Sequence, residues 1–431
     1  MISITIALLA FFVSIVLLVF LAYRGVTPMI IGPLVTIVLC LLSSMPPREM
    51  ILGPYMKSSA DYIMRFFLVF MTGAIFGRVM ADTGAAQSIA QTIISHFGKS
   101  AAIPALVAAT ALLTYGGVSL FVVIFFSYPL ALWLFKEANL PKKLIGGSVA
   151  LGAFTFTMTG PGTPQIQNII PMSYLGTDAT AGLLPGIAGM AGIAILGTLY
   201  MIYRSKREGA KGNGFDAEEE LSLHRISEEK VPNFWLSLLP PILVIILLNV
   251  FRIDAAVSLT AGIVLAVILF HKRLSLPSWF NSLNQGAISS AVVILNTALI
   301  VGYGGAVKLS PAFPVITDGL EALSGGNPYY FVAIATTIMA GICGSASGGL
   351  GVAFEAFGNK FLATGISPEA IHRIAAMASG GLDSLPHCGA VISLLTVAGL
   401  THKESYLDIF MTTVVIPIIS VFLIVVPLFM I

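Results

Sequence analysis

"FTFTMTGPGTPQIQNIIP", Phe154 to Pro171, interrupts a chain that is otherwise almost continuously apolar. Pro161 and Pro164 bring no N–H donor, and Gly160 and Gly162 admit backbone angles closed to other residues, so a helix entering here must unwind. Unwinding frees carbonyls and N–H groups, which a bilayer tolerates only where protein buries them or they line a watery cavity. Thr157, Thr159, Thr163, Gln165, Gln167 and Asn168 add neutral donors and acceptors beside the break. That chemistry suits a carboxylate or a polyol chain, and helix N-termini exposed by the break attract an anion.

The remaining sequence defines the environment. Of 431 residues, 57% are hydrophobic and only 10% charged, against about 25% charged in soluble domains. Apolar runs recur, among them Ile4 to Ala22, Trp235 to Phe251, Ala255 to Phe270 and Ile409 to Ile431, of a length suited to a hydrocarbon core about 30 Å thick. The expected fold class is an all-α polytopic membrane protein, its first run a retained span rather than a cleaved leader. Cys40, Cys343 and Cys388 lie far apart in apolar segments, a spacing that suggests neither disulfides nor a metal cluster. No cofactor is expected. A formal net charge of +2 gives no argument for nucleic acid. The phosphate-binding pattern GxxxxGK followed by Ser or Thr is absent, as is HExxH, which argues against an ATP-driven pump and against an enzyme.

One long polar segment, residues 204–232, reads as a cytoplasmic linker between a first half, 1–203, and a second, 233–431. Three features recur in the same order in both. First comes an amphipathic stretch, Ala85 to Phe97 or Phe313 to Leu323. Next, two apolar arms meet at a polar glycine-rich turn: "TYGGVS", Thr114 to Ser119, within about 101–137, and "CGSASGG", Cys343 to Gly349, within about 329–362. Then follows a broken helix, about 143–175 or 370–400. The arms are short for a full crossing at 1.5 Å rise per residue, so they are expected to be re-entrant hairpins. With the linker inside, this threading leaves most of the 22 lysines and arginines on the cytoplasmic side, with Arg252, Lys308 and Arg373 among those outside. It also makes the halves inverted repeats. Inverted repeats with broken helices point to a secondary transporter whose substrate and coupling ion bind near the membrane midplane.

The second break, "GGLDSLPHCG", Gly380 to Gly389, sets Asp383 and His387 around Pro386. Ionisable side chains at membrane depth tend to mark a functional path. Histidine titrates near neutral pH and a desolvated aspartate can be raised toward it, so both are candidates for proton coupling. The alternative is a permanently satisfied pair that holds the loop together. Glu355, on the returning arm of the second hairpin, reads as a further proton carrier or as a group in the water-filled mouth. Candidate substrate contacts are Thr114, Gly116, Gly117 and Ser119 of the first turn, Thr159, Gly162, Thr163, Gln165 and Asn168 of the first break, and Ser345, Ser347, Gly348 and Gly349 of the second turn. The hydroxyls among them are equally able to cap the turns. His96, His224, His271, His372 and His402 read as solvated or interfacial. No lysine or arginine lies within the four clusters, so recognition by dipoles rather than by a fixed cation is expected.

Three blocks, "LTYGGVSLFVV" (Leu113 to Val123), "LFKEANLPKKLIGGSVALGAFTFTMTGPGTPQIQNIIP" (Leu134 to Pro171) and "ASGGLDSLPHCGAVISLL" (Ala378 to Leu395), resemble the gluconate permease (GntP) family. The resemblance extends over essentially the whole chain. It implies proton-coupled uptake of small hydroxy-carboxylates across the bacterial cytoplasmic membrane. The wider ion transporter superfamily adds a homodimer in the lipid bilayer and an elevator motion, in which a mobile transport part carries the site past a scaffold. Gluconate carriers have a His-Pro-Gly-Pro stretch near the first broken helix, where this chain has Gly160, Pro161, Gly162, Thr163 and Pro164. "GGLDSLPH" looks more like the branch linked to 3-hydroxybutyrate, which favours a short hydroxy acid or monocarboxylate. The rival readings are a sodium-coupled carrier, with sodium held by Ser and Thr turns, and an uncoupled anion channel or facilitator.

Overall fold

A computed structural model of the chain describes residues 4–97, 101–118, 120–215, 231–386 and 388–431. Within them every regular element is helical. The first half runs α1 Ile4–Tyr23, α2 Pro28–Leu42, α3 Pro47–Met50, α4 Met56–Asp82, α5 Ala85–Phe97, α6 Ala102–Tyr115 and α7 Leu120–Glu137. It continues with α8 Leu144–Phe154, α9 Phe156–Thr159, α10 Ile166–Leu175 and α11 Leu183–Ala210. The second half runs α12 Phe234–Asn249, α13 Ala255–Phe270, α14 Leu276–Lys308, α15 Phe313–Leu323, α16 Pro328–Cys343 and α17 Ala346–Ala363. It ends with α18 Pro368–Ser379, α19 Gly389–Ala398, α20 His402–Phe410, α21 Ile416–Ser420 and α22 Val426–Met430. Most of the linker, residues 216–230, and with it His224, lies outside the described residues.

Local chemistry sets the helix starts. Asn327 accepts from the Tyr329 N–H at 3.0 Å and Ser367 from the Ala370 N–H at 3.2 Å, each just before a proline at the first helical position. A proline there gives up only an N–H that has no intrahelical partner anyway. Prolines further along act differently. π-helical turns at Ile51–Tyr55, Met411–Val415 and Val421–Val425 contain or closely precede Pro54, Pro417 and Pro427. A missing N–H leaves a carbonyl unclaimed, and the helix widens locally.

Helices α1, α2 and α4 of the first half pack with α12, α13 and α14 of the second into one body. The other body is built around the two interrupted helices: α6, α7, α11 and α20 pack on α8 of the first, α16, α17 and α10 pack on α18 of the second, and α17 also lies along α14 of the first body. Small residues allow the close approaches that membrane helices use in place of a hydrophobic driving force. A Cβ on Gly302 of α14 would stand 2.8 Å from the Tyr55 carbonyl oxygen, and one on Gly349 would overlap the backbone of Ala340, so α16 and α17 meet almost backbone to backbone. Large apolar side chains point outward, among them Leu9, Met64, Leu184 and Trp235. Among the described residues, five helical segments are long and apolar enough to cross a membrane: Ile4–Ala22, Pro47–Asp82, Leu183–Ala210, Leu276–Lys308 and His402–Met430. This outward apolar surface belongs to a protein solvated by lipid.

A buried ionic cluster ties α11 to α20. Asp408 accepts from Arg204 Nε at 2.6 Å, from Arg204 Nη2 at 3.2 Å and from the Tyr200 hydroxyl at 2.8 Å. Glu208 accepts from Arg204 Nη1, from Lys143 at the start of α8 and from Asn213.

Candidate functional site

The break quoted above is an unwound segment held by side chains. Helix α8 ends at Phe154, α9 makes one turn, and the chain is non-helical from Gly160 to Gln165, with φ of +83° at Gly162. Its freed groups find partners at once. The Gly162 N–H donates to the Ala179 carbonyl at 2.7 Å, Tyr115 hydroxyl to the Pro161 carbonyl at 2.8 Å, and Asn249 Nδ2 to the Gly162 carbonyl at 2.8 Å. Asn168 Nδ2 donates to the Thr163 and Ala179 carbonyls, both at 2.9 Å.

The first hairpin turn rests directly on this break. Gln165 Nε2 donates to the Thr114 carbonyl at 2.7 Å and to the Val118 carbonyl at 3.1 Å, so one amide spans the turn. Gly117 has φ of +94°, and a Cβ there would sit 3.1 Å from Pro164 Cγ, while Gly116 backs onto Pro241 of α12. Thr114 Oγ1 is buried with no hydrogen-bond partner, an exception to the rule that buried polar groups are paired. Ser119 lies outside the described residues.

In the second hairpin Ser345 caps α17, accepting from the Gly348 N–H at 3.2 Å, with Ser347 Oγ 3.3 Å from Ser345 Oγ. The capping role is therefore realised. Glu355 accepts from Ser58 of α4 at 3.0 Å, and the neighbouring Phe354 stacks on Tyr174 at 5.1 Å between ring centres. Glu355 thus stands where the two bodies meet. Asp383 is buried in the second break, with the Ser384 hydroxyl donating to it at 2.9 Å, and it forms no ion pair among the described residues. His387 lies outside the described residues. The two breaks touch, since a Cβ on Gly380 would lie 3.4 Å from Thr159 Cγ2.

Two sequence expectations are corrected. His372 is neither solvated nor interfacial: it is fully buried, with Nε2 3.1 Å from Asn168 Oδ1 and Nδ1 2.7 Å from Thr177 Oγ1. Asn168 uses its NH2 on carbonyls, so its oxygen accepts, and the network assigns the imidazole proton to Nε2 with Thr177 donating to Nδ1. Arg373 does not face an outer aqueous surface: it is fully buried and supplies the first break with a fixed cation. Its Nη1 donates to the Thr159 carbonyl at 2.6 Å, Nε to Ala181 at 2.9 Å and Nη2 to Asn168 Oδ1 at 2.9 Å. All four hydrogen-bonding positions of the Asn168 amide are then filled, and it acts as a joint between α10 and α18. The signal available in sequence was the pair His372–Arg373 inside an apolar stretch leading to a break.

The comparisons with known proteins agree with this architecture. The profile of the GntP family permeases matches residues 5–271. A Bacillus subtilis (strain 168) relative described as the uncharacterized transporter YxjC is 38% identical over 447 residues, spanning 93% of this chain and 94% of the relative. The high-affinity gluconate transporter of Escherichia coli (strain K12) is 27% identical over 304 residues, spanning 64% of this chain and 65% of the relative. The crystal structure of the Alcanivorax borkumensis YdaH transporter, described as having an unusual topology, matches with a TM-score of 0.57 over 89% of this chain and 88% of that one. At 14% identity that match concerns the fold alone.

Proposed function

The chain belongs to the GntP family of permeases, and on that premise we propose that it is a secondary active transporter importing a small hydroxy-carboxylate together with protons. 3-Hydroxybutyrate and gluconate are the candidate substrates; the latter is what the Escherichia coli relative is named for. The observation that carries the reading is convergence: the first hairpin turn is held to the first break by Gln165, and the first break touches the second at Thr159 and Gly380. Irregular backbone and hydroxyls gathered inside a helical membrane protein are what a midplane site requires. In this reading the hydroxyls of Thr114, Thr163, Ser345 and Ser347 face the substrate, while the N–H groups of Gly116, Gly117, Gly348 and Gly349 donate within their own turns and fix the shape of those turns. Gln165 and Asn168 hold the frame, since their donors are already engaged.

Proton coupling falls to Asp383, a buried carboxyl whose one described side-chain partner is a hydroxyl, a setting in which the neutral acid and the carboxylate are both accommodated. Movement of the hairpin and broken-helix body past the six-helix body, within a homodimer in the bacterial cytoplasmic membrane, completes the proposal.

The test is uptake and counterflow in proteoliposomes against labelled 3-hydroxybutyrate, gluconate, lactate and citrate. An imposed inward proton gradient is expected to drive one of the first three above equilibrium, unchanged when choline replaces sodium. Accumulation that needs sodium would transfer the coupling to that ion, and equilibration without accumulation would replace the symporter by a facilitator.

A further inference from the structure

We propose that Arg373 is the charge that makes the site select anions, and that the substrate carboxylate is its missing counter-ion. This rests on the carboxylate-transport reading above. The starting point is an imbalance: the guanidinium is fully buried, yet every partner it has among the described residues is a neutral oxygen. Those partners are the carbonyls of Thr159, Ala179 and Ala181 and the amide oxygen of Asn168. Asp178, in the same loop, is bound elsewhere: its Oδ2 lies 3.3 Å from Arg252, and its Oδ1 accepts from the backbone N–H and hydroxyl of Thr180 at 2.9 and 2.6 Å. Asp383, further along the same broken helix, is bonded to Ser384.

A desolvated cation without an anion is among the most costly arrangements a fold can hold, and carbonyl dipoles offset the cost only in part. A purely mechanical tie between α18 and the first break would not need the charge. The cation sits where it is useful to an anion. Its hydrogen bonds end on both flanks of Gly160–Gln165, the segment on which the first hairpin turn rests. Four of its five N–H groups are committed, leaving one on Nη1. Across a dry break its field would favour an anion over a neutral analogue of the same shape.

The experiment measures thermal stabilisation of the purified, detergent-solubilised full chain by 3-hydroxybutyrate and gluconate and by their uncharged amides, in wild type, Arg373→Lys, Arg373→Gln and Asn168→Asp. Wild type is expected to prefer acid over amide by at least about tenfold in half-saturating concentration. Arg373→Lys should keep that preference with weaker binding of both, whereas Arg373→Gln should reduce it to about twofold or less. Asn168→Asp sets a carboxylate against Nη2 without removing the arginine, and should erase the preference in the same way. This arm decides the matter should Arg373→Gln not fold. An acid-over-amide ratio unchanged in the charge-altered variants would overturn the proposal and leave a structural tie. Wild type binding acid and amide alike would overturn it while sparing the transport reading. Wild type stabilised by neither acid nor amide would overturn both.

Discussion

Arg373 of α18 donates from Nη1 to the carbonyl of Thr159, the last residue of α9, at 2.6 Å, so the second half of the chain closes a helix end in the first. A positive charge is favourable at the C-terminal end of a helix, where the last carbonyls have no intrahelical partner. Here it also joins the two broken helices into one unit, with Asn168 as the shared acceptor for Arg373 and His372.

Removing that acceptor should be costly. Asn168→Ala leaves Arg373 Nη2, His372 Nε2 and the Thr163 carbonyl each short of a partner in a fully buried setting. Unmade buried hydrogen bonds cost about 1–3 kcal/mol apiece before relaxation. The variant is expected to lose about 3 kcal/mol and to melt well below wild type in detergent. A melting temperature within a degree of wild type would show that the amide is not the joint described.

The first break was legible because its chemistry is local: Gly160, Pro161, Gly162 and Pro164 interrupt a helix whatever surrounds them. The amphipathic helices α5 and α15 were legible for the same reason, and both occupy the bounds read from the sequence. The environment of α18 was not legible. His372 reads as solvated or interfacial and Arg373 as lying outside, yet every residue from Ala370 to Ser379 is buried, because α10, α16 and α17 pack around α18 and the loop after α10 bonds to Arg373. Arg373 meets residues about two hundred positions away in the chain, and no period or motif reports such a pairing. The same holds for Glu355, whose partner Ser58 belongs to the other body.

Packing of the second hairpin yields a paired prediction. Gly349→Ala forces its Cβ into the Ala340 backbone, and neither arm can retreat without parting α16 from α17. A loss of about 1–3 kcal/mol is expected, together with reduced uptake. Gly319→Ala, in the exposed face of α15 with no atom within 4 Å of the new Cβ, should be neutral or gain up to about 1 kcal/mol. Equal melting temperatures for the two variants would contradict the close approach.

The ionic cluster should behave as a buried one. Asp408→Asn leaves Glu208 as the one anion bonded to Arg204 and sets an NH2 donor where the second carboxylate oxygen accepted from Arg204, while the amide oxygen still accepts from the Tyr200 hydroxyl. A loss of about 3 kcal/mol follows from breaking a buried pair by one partner. Because the pair is shielded from solvent, the difference between wild type and variant should hold between low and high salt. A difference that disappears at high salt would identify the cluster as a solvated surface pair.

Asp383→Asn separates coupling from binding. Asparagine keeps the size of the side chain and can still meet the Ser384 hydroxyl, so the second break should fold as before, but the proton site is gone. Carboxylate counterflow, which needs no net proton movement, is expected within about threefold of wild type. Accumulation driven by a proton gradient should fall to equilibrium, because a carrier without a proton site cannot use the gradient. Wild-type uptake should rise as external pH falls below neutral, and the variant's should stay flat. Normal uphill uptake by Asp383→Asn would remove Asp383 from the coupling mechanism, and loss of counterflow as well would move it to the substrate site.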